Sequence, residues 1–192
     1  MSKERMMAFT DALLAIIMTV LILELQKPAQ ATWQAVWDLR ENFAVYGISF
    51  FWLTVMWINL HNEWQHVKQI TISVIWWNMF LLFTASFFPY MTSFAGSHFY
   101  SSVAATLYVA EALLVTFAFY GLGHAVHEAN PDLPPAILTI YGQSKQIDYA
   151  IKILGLVFSP FIYPPVGPCS VVLSALWIIY KMKLYKVRPT KL

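Results

Sequence analysis

Apolar residues in this chain come in long blocks, and most blocks approach the length that crosses a bilayer. A spanning helix needs about 20 apolar residues to cross about 30 Å of hydrocarbon at about 1.5 Å per residue. The first block, 5–25, has a charge-free centre from 12 to 23 between Asp11 and Glu24. It is long enough only if Asp11 lies inside the membrane. The second, 42–61, carries no formal charge. From 69 to 110 there is no Asp, Glu, Lys or Arg, about twice the length of one span, so the chain must fold back. The segment 89–100 (PYMTSFAGSHFY) supplies turn-forming residues and divides the stretch into spans 69–90 and 100–122. A polar segment, 123–146, follows with Asn130-Pro131-Asp132 and Pro134-Pro135, and it reads as the longest aqueous loop. The last apolar run, 153–180, is interrupted by Pro164-Pro165-Val166-Gly167-Pro168. By hydropathy it is either one broken helix or two spans, 147–164 and 168–185.

Charge chooses between these. With six spans, Lys3, Arg5, Lys68, Lys145, Lys152, Lys181, Lys183, Lys186, Arg188 and Lys191 fall on one side and only Lys27 and Arg40 on the other. Cytoplasmic loops carry this excess, so both termini are expected in the cytoplasm. Five spans would put the basic tail outside. Lys3, Arg5, the first block and Ala29-Gln30-Ala31 imitate a cleaved secretory signal, but Asp11 and Glu24 fit an h-region poorly. The expected fold is an all-α integral membrane protein, one six-span domain over 1–192, with no internal duplication.

Composition agrees. The chain is 59% hydrophobic and 11% charged, against about 25% charged in soluble domains. That excludes a soluble enzyme fold and names the lipid bilayer as a partner. A net charge of +2 is too small for a nucleic-acid surface. The lone Cys169 permits no intrachain disulfide.

An ionisable side chain inside a membrane is costly and marks function or an internal partner. Arg5 and Asp11 are separated by about 600° of helical rotation, so they lie on different faces. Asp11 is expected to find a partner in His61, His66 or Asn78, or in Arg5 of another copy, and a packing clamp outweighs direct ion binding. Phe9, Ala12, Ile16, Thr19 and Leu23 recur at spacings of three and four and share one face. The face is either a helix-packing seam or the lining of an axis surrounded by copies of this helix. In the second case Ile16 and Leu23 form apolar rings around the Thr19 hydroxyl, able to gate by dewetting, and Glu24 adds carboxylates at the outer mouth.

The run from Arg5 through Phe9-Thr10-Asp11 to Thr19 resembles the R-x-x-x-F-S-D first-span signature of the lysosomal potassium channel family of the transmembrane-protein-175 type, with Thr10 for the usual Ser. The likeness continues through Trp57-Ile58-Asn59-Leu60-His61, Trp76-Trp77-Asn78 and Phe88-Pro89-Tyr90. Leu60 stands where many members carry a second His. The resemblance implies a potassium-permeable cation channel, with potassium as permeant and no cofactor. It implies that first helices of six-span units line the pore, with Ile16 and Leu23 as the constriction, Val20 alongside and Thr19 as the hydroxyl ring. Arg5, Phe9, Thr10, Asp11, Trp57, His61 and Asn78 match the motif and its packing against spans two and three. One unit per chain implies a homotetramer in the plasma membrane of a prokaryote, with no re-entrant filter loop.

Other strings carry less. Thr139-Ile140-Tyr141-Gly142-Gln143 lacks the first glycine of a T-V-G-Y-G filter and is a chance match in the polar segment. His124 and His127 beside Glu128 are not H-E-x-x-H and offer no clear third ligand, so no metal site is expected. Asp148 and Lys152, four apart, read as a local pair near the interface. Glu111 lies within span four, where Lys152, Tyr108 or Thr116 could meet it. Intramembrane Glu111 and Asp11 are also what a proton-coupled secondary transporter would use, although no inverted repeat accompanies them. A scaffold without flux is a third reading. No nucleophile–base or metal constellation supports an enzyme.

Overall fold

A computed structural model of the chain describes residues 2–133 and 135–186, with side chains at 2–133 and 145–181. The regular structure among these residues is helical: α1 (Lys3–Leu23), α2 (Trp33–Trp37), α3 (Arg40–Trp64), α4 (Ile72–Ser97), α5 (Ser102–Ala129), α6 (Pro135–Phe161) and α7 (Val166–Lys186). Blocks this apolar form helices because a helix satisfies its own backbone groups where water is absent. Hydroxyl caps mark the starts: Ser2, Thr71 and Ser101 accept from the backbone N–H three residues on, each at 3.4 Å. Among the described residues, α1, α3, α4 and α5 are long and apolar enough to cross a membrane, and α7 holds a shorter apolar stretch, Val166–Lys181. The protein is therefore a multi-pass membrane protein by four helices that meet both criteria, against the six spans expected.

Two boundaries differ from expectation. α4 runs through Pro89 to Ser97, and the reversal is confined to His98 through Ser101, where Ser101 N donates to the His98 carbonyl at 2.8 Å. Proline costs a helix one hydrogen bond, whereas a turn at that depth would strand several backbone groups among apolar side chains. The expected loop at 123–146 is mostly helix as well, since α5 continues to Ala129 and α6 begins at Pro135. Asn130 makes the short connection possible. Its Oδ1 accepts from Lys68 N at 2.9 Å and Gln69 N at 2.8 Å. Its Nδ2 donates to the carbonyls of Gln69 at 3.0 Å and Val126 at 2.9 Å. This one buried side chain ties the α3–α4 connection to the end of α5. The string at 139–143 consequently lies in α6 rather than in a loop.

The proline-rich interruption separates two helices, α6 and α7, which pack closely. A Cβ at Gly155 would collide with the Ser170 side chain. Ser102 Oγ donates to the Pro160 carbonyl at 3.3 Å, and the Tyr100 and Tyr163 ring centroids are 6.2 Å apart. The α6–α7 reversal thus sits at the same end of the bundle as the α4–α5 reversal. At the other end Lys3 Nζ reaches the Gln65 carbonyl at 3.2 Å, close to the Asn130 clamp on Lys68. Side chains at Lys183 and Lys186 fall outside the described set, and Arg188 and Lys191 lie outside the described residues.

α3, α4 and α5 form the centre. Phe88 stacks between Trp52 (4.8 Å between centroids) and Tyr108 (5.4 Å). Thr92 Oγ1 lies 2.8 Å from Ser49 Oγ, which lies 2.9 Å from Tyr108 Oη, so the buried hydroxyls satisfy one another. α1 packs on α3 and α4 at the periphery. Only 28% of its most apolar window is buried, against 50% for α5, and that leaves one of its faces open.

Candidate functional site

Helical periodicity divides α1 into two faces. Met6, Thr10, Leu14, Ile17 and Leu21 are buried against the bundle. Phe9, Ala12, Ile16, Thr19 and Leu23 are exposed, Ile16 at 55% and Leu23 at 78%. Within a single chain this stripe is only partly covered, with Phe9 still 45% exposed. Thr19 Oγ1 donates to the Ile16 carbonyl at 2.8 Å, which turns the oxygen lone pairs outward from the helix. Val20 is half-buried and turned toward α4. It lines a groove of about 390 Å³ against α4 with Leu13, Phe83 and Pro89, and Phe9 and Ile16 of the stripe line the same groove.

Polar contacts on the inner face fix how α1 is rotated. Asn78 Nδ2 of α4 donates to Thr10 Oγ1 at 2.9 Å, and Thr10 donates in turn to the Met6 carbonyl at 2.9 Å. Trp57 Nε1 of α3 donates to Asp11 Oδ1 at 2.9 Å. The partner of Asp11 is therefore Trp57, not His61, His66 or Asn78. His61 instead stacks on Trp57 with centroids 5.5 Å apart, and its Nε2 lies 3.3 Å from Gln65 Nε2. His66 Nδ1 makes a local contact with the Asn62 carbonyl at 3.0 Å. The Arg5 side chain is exposed.

At the opposite end Ser93 Oγ donates to the Glu24 carbonyl at 3.0 Å, and Gln26 Nε2 donates to Ser97 Oγ at 2.9 Å. Asn42 Nδ2 donates to the same Ser97 oxygen at 3.3 Å. The Glu24 side chain itself is exposed. Ser93, Ser97, Gln26 and Asn42 were not singled out from the sequence. Their only signal there is a scatter of small polar residues at block ends, which any interfacial segment shows. The result is a helix held at both ends and along its inner face, presenting Ile16, Thr19 and Leu23 outward.

Glu111, His124, Glu128, Asp148 and Lys152 belong to α5 and α6 rather than to α1. Lys152 Nζ is 2.6 Å from Asp148 Oδ1 and donates to Thr116 Oγ1 at 2.8 Å, with side-chain exposures of 1% for Lys152 and 2% for Asp148. The pair forms at the expected spacing, but inside the bundle rather than at the interface. Lys152 is thereby engaged, and Glu111, largely buried on α5, keeps Oε1 without a hydrogen-bond partner. His124 Nδ1 lies 3.5 Å from Glu128 Oε1. Among the described residues no three His, Cys, Asp or Glu side chains converge as metal ligands.

Comparison with known proteins bears on the same helix. The family described as Endosomal/lysosomal potassium channel TMEM175 matches residues 5–89, which cover α1 from Arg5, all of α3 and α4 as far as Pro89. A potassium channel of Chryseobacterium sp. (strain P1-3) is 31% identical over 189 residues, covering 97% of each chain. The endosomal/lysosomal proton channel TMEM175 of Homo sapiens is 29% identical over 84% of this chain but 36% of its own length. The crystal structure of a lysosomal potassium-selective channel TMEM175 homolog from Chamaesiphon minutus shares the fold, with a TM-score of 0.80 over 93% of this chain and 96% of that one, at 22% identity.

Proposed function

Because the chain belongs to the TMEM175 potassium channel family, we propose that it conducts potassium along an axis surrounded by α1 from four copies. It is a potassium-permeable channel, and its family is one of ion channels rather than enzymes. The observation that carries the pore assignment is the open stripe of α1. A helix clamped by Trp57, Asn78, Ser93 and Ser97 turns Ile16, Thr19 and Leu23 away from its own chain. Around an axis, Ile16 and Leu23 make narrow apolar rings that water leaves readily, and Thr19 places hydroxyl oxygens between them for a partly dehydrated cation. Val20 stands alongside the rings, beside Ile16 on the α4 side of the helix. Glu24 raises cation concentration at the outer mouth. Arg5, Phe9, Thr10, Asp11, Trp57, His61 and Asn78 position the helix.

The full unit in this reading has six spans. The α6–α7 reversal shares an end with the α4–α5 reversal, which supports α6 and α7 crossing the bundle from end to end. Lys3 and Lys68 share the opposite end, which supports cytoplasmic termini in a prokaryotic plasma membrane. Purified protein in liposomes should pass potassium passively, with a reversal potential that follows the potassium gradient over the sodium gradient. Ile16→Asn should raise conductance severalfold by wetting the constriction. Absence of passive potassium current from folded protein would sink the reading.

A proton-coupled transporter has one observation in its favour, the orphaned Oε1 of buried Glu111. Asp11, the second carboxylate that reading would use, is engaged by Trp57. It predicts uptake that depends on a pH gradient and disappears in Glu111→Gln. Passive current that is unchanged in Glu111→Gln decides for the channel.

A further inference from the structure

A groove of about 340 Å³ runs between the first turns of α4, the last three turns of α5 and the start of the described side chains of α6. It is separate from α1, and no part of the pore assignment uses it. Its deep wall is aromatic: Trp77 and Phe117 meet edge to face with centroids 5.6 Å apart. Gly121 lets the indole lie directly on α5, because a Cβ there would overlap the Trp77 ring. Its rim is polar, with Ser73, His124, Glu128 and Lys145.

The dimensions match one acyl chain. Phe117 and Glu128 are eleven positions apart on α5, hence about 16 Å along the helix, and one leaflet of hydrocarbon is about 15 Å thick. Ser73 is the second residue of α4 and Glu128 the penultimate residue of α5, so the rim stands at headgroup depth if these helices span. The charges match a headgroup that carries both signs. Lys145 Nζ lies 5.3 Å from the Tyr120 ring centroid and, among the described residues, makes no ion pair. Glu128 has His124 at 3.5 Å, longer than the roughly 2.7–2.9 Å of a charge-assisted hydrogen bond. A cation and an anion thus face one mouth without neutralising each other.

We propose that this groove binds a phospholipid with a primary-amine headgroup, its phosphate at Lys145 and Ser73, its ammonium at Glu128 and an acyl chain along Trp77 and Phe117. A primary ammonium carries N–H donors that can bond a carboxylate, whereas a quaternary choline carries none and a glycerol headgroup brings no cation. Glu128 therefore selects the amine, and Lys145 holds the phosphate of any of the three. The depth of the rim rests on the membrane reading above, whereas the pairing of charges does not.

The test is native mass spectrometry of the purified oligomer equilibrated with an equimolar mixture of dioleoyl phosphatidylethanolamine, phosphatidylcholine and phosphatidylglycerol. One phosphatidylethanolamine per chain should survive gentle activation, in preference to both others. Glu128→Gln should lower the ethanolamine-to-choline ratio about tenfold, as losing one charge-assisted bond implies. Lys145→Gln should lower retention of all three. Both positions are on the groove rim, and an unchanged elution volume shows the fold is kept. Preferential retention of phosphatidylglycerol, no retention, or a preference untouched by Glu128→Gln would overturn the proposal. So would cross-linking between copies through Ser73→Cys in a Cys169→Ser background, which would place a second chain in the groove. Potassium flux from the same preparation separates the two readings, because lipid retention without flux fails only the channel and flux without lipid selection fails only this site.

Discussion

Asp11 lies two turns into a helix that carries no other charge from there to Leu23, where an ionised carboxylate costs several kcal/mol unless donors meet it. That one was needed could be read from the block pattern, because the first span is long enough only with Asp11 inside it. Which donor it would be could not. Trp57 is 46 positions away, and its indole N–H is easily mistaken in sequence for one more interfacial aromatic. Trp57→Phe keeps the ring beside His61 but removes the donor. It should lower stability by about 1–2 kcal/mol, seen as a lower melting temperature in detergent. Adding Asp11→Asn to that variant should recover part of the loss, because the unmet charge is then gone. Equal melting of the single and double variants would show that the hydrogen bond contributes nothing. Ile16 is the complementary case. Its place on one face followed from spacing alone, whereas its half exposure beside α4 became evident only once the neighbours of α1 were in position.

Helix ends were the least legible elements. Pro89 and Asn130-Pro131 are strong turn signals in water, and both were read as such. At Pro89 the reading fails because the surroundings are apolar, so continuing the helix loses one hydrogen bond where turning would lose several. At Asn130 the turn is real but much shorter than expected, because one side chain supplies four hydrogen bonds that a longer loop would have taken from water. Asn130→Ala should therefore raise hydrogen exchange at the amides of Lys68 and Gln69 by about tenfold or more, the loss of a bond worth about 1.4 kcal/mol each. Asn130→Asp keeps an oxygen in place of the one Oδ1 that accepts from both amides and should leave those two amides protected. Equal exchange in the two variants would remove the clamp from the account.

At the scale of the bundle, most buried polar groups among the described residues are paired where helices cross, Glu111 Oε1 being an exception. The Lys152–Asp148 pair is the extreme, fully enclosed beside the Trp52 ring at 5.2 Å and next to a cavity of about 30 Å³. Breaking it should be far worse than replacing it. Lys152→Met leaves a buried carboxylate with the Tyr120 hydroxyl at 3.3 Å but no cation and should cost about 3–5 kcal/mol, whereas Lys152→Met with Asp148→Leu should cost far less. Melting temperatures of the two variants check this, and similar losses in both would mean that the cation packs rather than pairs. Fold class, the membrane, the motif on α1 and the spacing of its open face all follow from local order along the chain, since hydrophobic block length and helical period need no knowledge of neighbours. The partner of Asp11, the depth of the Lys152–Asp148 pair, the unpartnered Oε1 of Glu111 and the aromatic groove behind Gly121 do not. Each depends on which helix lies beside which, and apolar helices of similar length pack interchangeably until specific polar contacts and close approaches select one arrangement.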